Sequence, residues 1–150
     1  MNQTMAILGS WDPRWIEDHQ RWLCSDGAHF DGWKRAVKRE TFERLRLQGD
    51  FHFYAYLPAS KRGCGHIVFR LKCDAPVYTE AGRRCRHEHR RHHDSGARDY
   101  RLCFTIRKIE ELREHQDVRI FETIAGKRLR SGQSTLAMPF VKDRHFQVKR

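Results

Sequence analysis

Hydrophobic and polar positions alternate most clearly over Phe51 to Cys73, FHFYAYLPASKRGCGHIVFRLKC. Side chains point to opposite faces along a strand, so a two-residue period predicts one. Phe51, Phe53, Ala55 and Leu57 share one face, and His52, Tyr54 and Tyr56 share the other. In the returning strand Ile67, Phe69, Leu71 and Cys73 oppose His66, Arg70 and Lys72. Each strand is expected to have one buried face and one available face. The same reading predicts a first short strand at Met5 to Leu8. A helix follows, with Ser10 or Asp12 as its cap and Pro13 in its first turn. Trp15, Ile16, His19, Trp22 and Leu23 recur at helical spacing and make its apolar face, and Ser25, Asp26 and Gly27 end it. Gly32-Trp33 opens a second segment. Thr41 to Leu47 predicts a helix with Phe42 and Leu45 inward, and Gln48-Gly49-Asp50 a turn.

Asp74-Ala75-Pro76 is expected to break the strand ladder. Thr79 to Asp99 has almost nothing to bury and predicts a loop or insertion. Alternation returns over Tyr100 to Ile109. Glu110 to His115 predicts a helical turn or connection, Val118 to Ile124 a strand, Gly126 to Gly132 a basic turn, and Thr135 to Val141 a last strand. There are no repeats. Short strands with two or three helical pieces predict an α+β domain, a small barrel with helices at its rim. A chain of 150 residues suffices for one such domain.

Charge narrows the class of partner. Thirty Lys and Arg against 19 acids give a formal net charge of +11. Such a field attracts polyanions. Tyrosines set beside cations on the available faces add a stacking surface, a combination suited to nucleic acid. No apolar run approaches the length of a membrane span, and no basic amphipathic helix has a broad apolar face, so a membrane is not expected as partner. The first 15 residues lack the basic start and apolar centre of a signal peptide. Five cysteines without framework spacing fit reduced thiols. A cytoplasmic protein is therefore expected. Oligomeric state is left open.

Trp11 and Trp15 follow the first strand, and Trp33 precedes the central region. Gln48-Gly49-Asp50 leads into FHFYAYLPAS. Gly63-Cys64-Gly65-His66-Ile67 marks the return strand, and Asp74-Ala75-Pro76 its end. Arg130-Ser131-Gly132-Gln133-Ser134-Thr135-Leu136 leads into the last strand. Taken in order, these short motifs resemble the EVE-domain family within the PUA-like folds, a group that includes the ASCH and YTH domains. The resemblance implies a PUA-like barrel whose pocket accepts a flipped or unpaired base, and the group includes readers of modified bases in DNA or RNA. A methyl-sized group buried against aromatics is worth roughly 1 kcal/mol. Flipping costs a few kcal/mol, which phosphate contacts offset.

The base-pocket candidates are Trp11, Trp15, Trp33, Tyr54 and Tyr56, with Ser60 and Asp12 for a base edge. For the tryptophans, packing between helix and barrel is the competing role; for Asp12 it is helix capping. Phosphate candidates are Lys61, Arg62, Arg83, Arg84, Arg86, Arg90, Arg91, Arg128 and Arg130. Residues 83 to 101 alone hold seven arginines against three acids. A solvated charged face is the plainer alternative.

Cys85, His87, His89, His92 and His93 have the donors of a zinc site. The spacing makes a tight cage, and no second cysteine pair supports it, so a histidine-bearing basic loop is preferred and no cofactor is expected. Enzyme signatures are poor: Gly126-Lys127 lacks the rest of a phosphate loop, and no deaminase or nucleophile-elbow motif is present. The expectation is a non-enzymatic nucleic-acid reader. The alternatives are a metal-dependent nuclease centred on the histidine loop, and a basic adaptor for RNA or protein without base preference.

Overall fold

The computed structural model describes residues 3–26, 29–33, 37–78, 102–129 and 140–150. The chain runs β1 (Met5–Ser10), α1 (Pro13–Asp26), β2 (His29–Trp33), α2 (Arg39–Gln48), β3 (Phe51–Leu57), β4 (His66–Tyr78), β5 (Leu102–Gln116) and β6 (Phe140–Lys142). Short 3-10 turns occupy Ala59–Lys61 and Val118–Ile120. Six strands form one mixed sheet in the order β2-β5-β4-β3-β1-β6. Strands β1 and β3 run parallel, and the other pairs are antiparallel. The α+β class holds. Among the described residues the sheet is open, with β2 and β6 at its ends, and does not close into the expected barrel.

Local chemistry explains the ends of the helices. Asp12 caps α1: its Oδ1 accepts the Arg14 backbone N–H at 2.9 Å, and Pro13 takes the first helical position, where no N–H is needed. Gly49 ends α2 at φ +82, its N–H donating to the Leu45 carbonyl, a backbone state that glycine adopts without a Cβ clash. Leu45 is fully buried and Phe42 partly so, as the spacing predicts. The Gln48 side chain then acts as a strand partner for β1. Its Oε1 accepts from Met5 N at 2.8 Å, and its Nε2 donates to Met5 O at 2.9 Å.

Both faces of the sheet are covered. Met5, Ile7, Phe51, Phe53, Leu71 and Phe104 form one core with Trp11, Ile16 and Leu45. Ala6, Leu8, Tyr54, Ile67 and Leu112 form a second with Val118, Phe121 and Val141. This overturns the expectation that the Tyr54 face is available. The segment after β5 and the C-terminal tail lie over it; Phe146 and Val148 pack there, and Val148 bridges to Leu112. A strand buried on both sides loses its polar alternation, which is why β1 reads as an unbroken MAIL.

Three local expectations fail. Glu110 to His115 is not helical but continues β5. Its helix formers are overruled by tertiary contacts: Leu112 is fully buried, and the largely buried Glu110 carboxylate accepts from Arg70 on the neighbouring strand at 3.0 Å. Asp74-Ala75-Pro76 does not end β4 but shifts its register, with Ala75 at φ +51. Val118 to Ile124 is not a strand; a 3-10 turn precedes single bridges at Glu122 and Thr123. The loop expected over 79–99 lies outside the described residues. Cys64 and Cys73 are free thiols, but Cys103 is disulfide-bonded, so the uniformly reduced set is corrected. Its partner lies outside the described side chains. No helix among the described residues is long and apolar enough to cross a membrane.

Candidate nucleic-acid interface

The parallel strands β1 and β3 end side by side, and this brings several candidates to one rim. Trp11 N donates to the Tyr56 carbonyl at 2.9 Å. The Trp11 ring is buried against Phe53 at 5.4 Å and His19 at 4.7 Å, so it fills core rather than offering a stacking face. Trp15, one turn into α1, meets the edge of Trp11 at 6.5 Å and is 43% exposed. Tyr56 is half-buried, and its ring packs against the second core. Ser60 lies in the 3-10 turn just after β3 and is exposed, as is Arg62 in a left-handed conformation at φ +63. This turn is tight: a Cβ on Gly63 would sit 2.4 Å from the Leu57 carbonyl oxygen.

The other pocket candidates sit elsewhere. Tyr54 is fully buried, and its hydroxyl donates to Asp143 Oδ1 at 2.6 Å. It has no free ring face for a base. Trp33 pairs with Leu102, which also pairs with Tyr78; that register sets it at the opposite end of the strands from Tyr56. Asp12 is engaged with the α1 backbone and with Arg14 at 3.1 Å, the capping role. Among the phosphate candidates, Lys61 lies in the turn beside Ser60, and Arg128 is exposed opposite Glu122. Arg83, Arg84, Arg86, Arg90, Arg91 and Arg130 lie outside the described residues, as do Cys85, His87, His89, His92 and His93. No group of three or more potential metal ligands occurs among the described residues.

One arrangement escaped the sequence reading. His52, Tyr54 and Asp143 meet at the end of the sheet opposite Trp15. Asp143 Oδ2 lies 2.8 Å from His52 Nδ1, and Oδ1 takes the Tyr54 hydroxyl and the Arg144 backbone N–H. Burial raises the Asp143 pKa, but the His52 and Tyr54 hydrogen bonds outweigh it and hold the carboxyl below its ordinary range. Burial, and then the Asp143 carboxylate, push the Tyr54 hydroxyl well above the usual tyrosine range. A cleft of about 380 Å³ opens here, lined by His52, Asp143, Lys72 and Arg107 among others. A smaller one of about 200 Å³ adjoins it on the other side of Asp143, lined by Arg128, Lys142 and Arg144. Alternation does set His52 and Tyr54 on one face. Nothing local ties them to an aspartate in the tail.

No family model matches this chain, and no curated protein or solved structure matches it either.

Proposed function

We propose that this chain is a nucleic-acid-binding domain of the EVE-like, PUA-like kind, a non-enzymatic reader of an unpaired, flipped or modified base. The base stacks at the rim on Trp15. The Ser60 hydroxyl donates to or accepts from its edge. Arg62 and the other exposed cations hold the backbone.

The observation that supports this best is Trp15. Tryptophan is highly buried on average, yet this one is 43% exposed on a chain of net charge +11. Ser60 and Arg62, a hydroxyl and a cation of the kind a stacked nucleotide needs, are exposed in the turn that follows β3 at the same end of the sheet. Stacking on one aromatic is worth about 1–3 kcal/mol per base. That is comparable to the few kcal/mol needed to extrude a base from a duplex, so phosphate contacts must supply the surplus. A single-stranded target avoids the extrusion cost and is expected to bind more tightly than its duplex.

Tryptophan fluorescence tests this. Titration with a short single strand should quench the emission, and Trp15→Ala should remove most of that quenching while salt-dependent binding persists. Full quenching in Trp15→Ala, with unaltered affinity, contradicts the proposed stacking.

A further inference from the structure

The cleft beside His52 has features that the base-reading rim does not use. His52 on β3 stands directly opposite Lys72 on β4, and Lys72 directly opposite Lys108 on β5. Directly opposed residues of a sheet share a face, and like charges in that position destabilise the pairing. Lys108 has a carboxylate at 3.8 Å in Glu110. Lys72 is exposed and has no acidic partner among the described residues. Arg107, the extra residue where the β4–β5 register shifts, reaches Asp74 through Nε alone, at 3.0 and 3.1 Å from the two oxygens. Its two terminal nitrogens remain available.

The cleft also holds three acids, Asp50, Asp74 and Asp143. Two of them are neutralised from within. Arg107 takes Asp74. His52, Tyr54 and the Arg144 N–H take Asp143. An ionised carboxylate only accepts hydrogen bonds, so the proton shared with Asp143 stands on His52 Nδ1 and leaves Nε2 for a ligand. Asp50 is exposed at the turn before β3.

We propose that this cleft is a binding site for a phosphate group, held by Lys72, the free end of Arg107 and His52 Nε2. A phosphate offers several acceptor oxygens to Lys72 and Arg107; the imidazolium form of His52, with its Nδ1–H on Asp143, donates to another from Nε2, and the bound anion relieves the repulsion between the opposed lysines. A volume of about 380 Å³ accommodates a nucleotide-sized group around that phosphate. The phosphate can belong to a strand end or to a free small molecule.

The full chain is titrated with inorganic phosphate and with two dinucleotides of one sequence, 5′-phosphorylated and 5′-hydroxyl, against chloride at matched ionic strength. The His52 ring nitrogens are followed by NMR and affinity by calorimetry. Inorganic phosphate and the phosphorylated dinucleotide should shift Nε2; the hydroxyl form, which keeps only a singly charged internal diester, should shift it far less, and chloride should not. Lys72→Gln should weaken binding about tenfold, the loss of one charge-assisted contact. Asp50→Asn should tighten it, and Trp15→Ala should leave the phosphate affinity unchanged even if base reading fails. A phosphorylated dinucleotide that binds better than phosphate supports a strand end as the source. Equal binding supports a free phosphate. A His52 signal unmoved by every phosphate probe, or Lys72→Gln without effect, overturns the site.

Discussion

At the scale of single residues, the two tryptophans around the start of α1 divide between packing and surface. Trp11 is 3% exposed and Trp15 43%. Trp11→Ala is expected to cost about 3–5 kcal/mol, the usual price of emptying an aromatic site in a core. Trp15→Ala is expected to stay within about 0.5 kcal/mol. Urea denaturation measures both, and equal losses would place Trp15 in the core as well. The sequence shows both rings on the path from β1 into the helix, but exposure depends on what β3 presents to each. Tyr54 carries a similar lesson. Its face was legible from alternation; its burial was not, because the covering residues come from 118–121 and 141–148. Tyr54→Phe removes the hydroxyl donated to Asp143 and should cost about 1–2 kcal/mol near neutral pH. The folded state favours the neutral hydroxyl, so that part of the stability is whole below about pH 10 and falls as pH rises further. Asp143 works in the opposite sense: its ionised form is favoured by folding, and its contribution is lost as pH falls below about 4. Denaturation midpoints across pH should show both slopes in the wild type, and only the acid slope from this pair in Tyr54→Phe.

At the scale of elements, the strands β1 and β3, β4 as far as Cys73, and both helices were readable, because apolar period, caps and turn residues agree there. The C-terminal half of β5 was not. Glu-Glu-Leu-Arg-Glu-His reads as a helical turn, yet Arg70 of β4 and Gln147 and Lys149 of the tail supply its partners from both sides. Such long-range pairing leaves no mark in a local window. Two backbone sites give direct checks. Gly63→Ala drives a Cβ into the Leu57 carbonyl and should destabilise by about 1–3 kcal/mol. Ala75→Gly relieves a left-handed alanine and should stabilise by about 1 kcal/mol. Thermal denaturation reads both, and an Ala75→Gly variant no more stable than wild type would show that the β4 irregularity carries no backbone strain.

At the scale of the whole molecule, the net charge of +11 is expected to set how strongly a polyanion binds, and the aromatic rim to set which base is preferred. Trp15, Ser60 and Arg62 lie at one end of the sheet; His52, Lys72, Arg107 and Arg144 lie at the other. Strand lengths of six or seven residues separate the two by about 20 Å, a few nucleotides of extended strand. The α+β class was readable from the short strands, turns and helical pieces, whereas the open strand order depends on which edges meet and was not. The measurement that bears most directly on base reading is fluorescence anisotropy at two salt concentrations. It compares matched DNA and RNA strands bearing cytosine, 5-methylcytosine or 5-hydroxymethylcytosine, with wild type and Trp15→Ala. A base reader gives a severalfold preference for one base that survives the higher salt and disappears in Trp15→Ala. Equal binding to every strand, falling steeply with salt in both proteins, would contradict it.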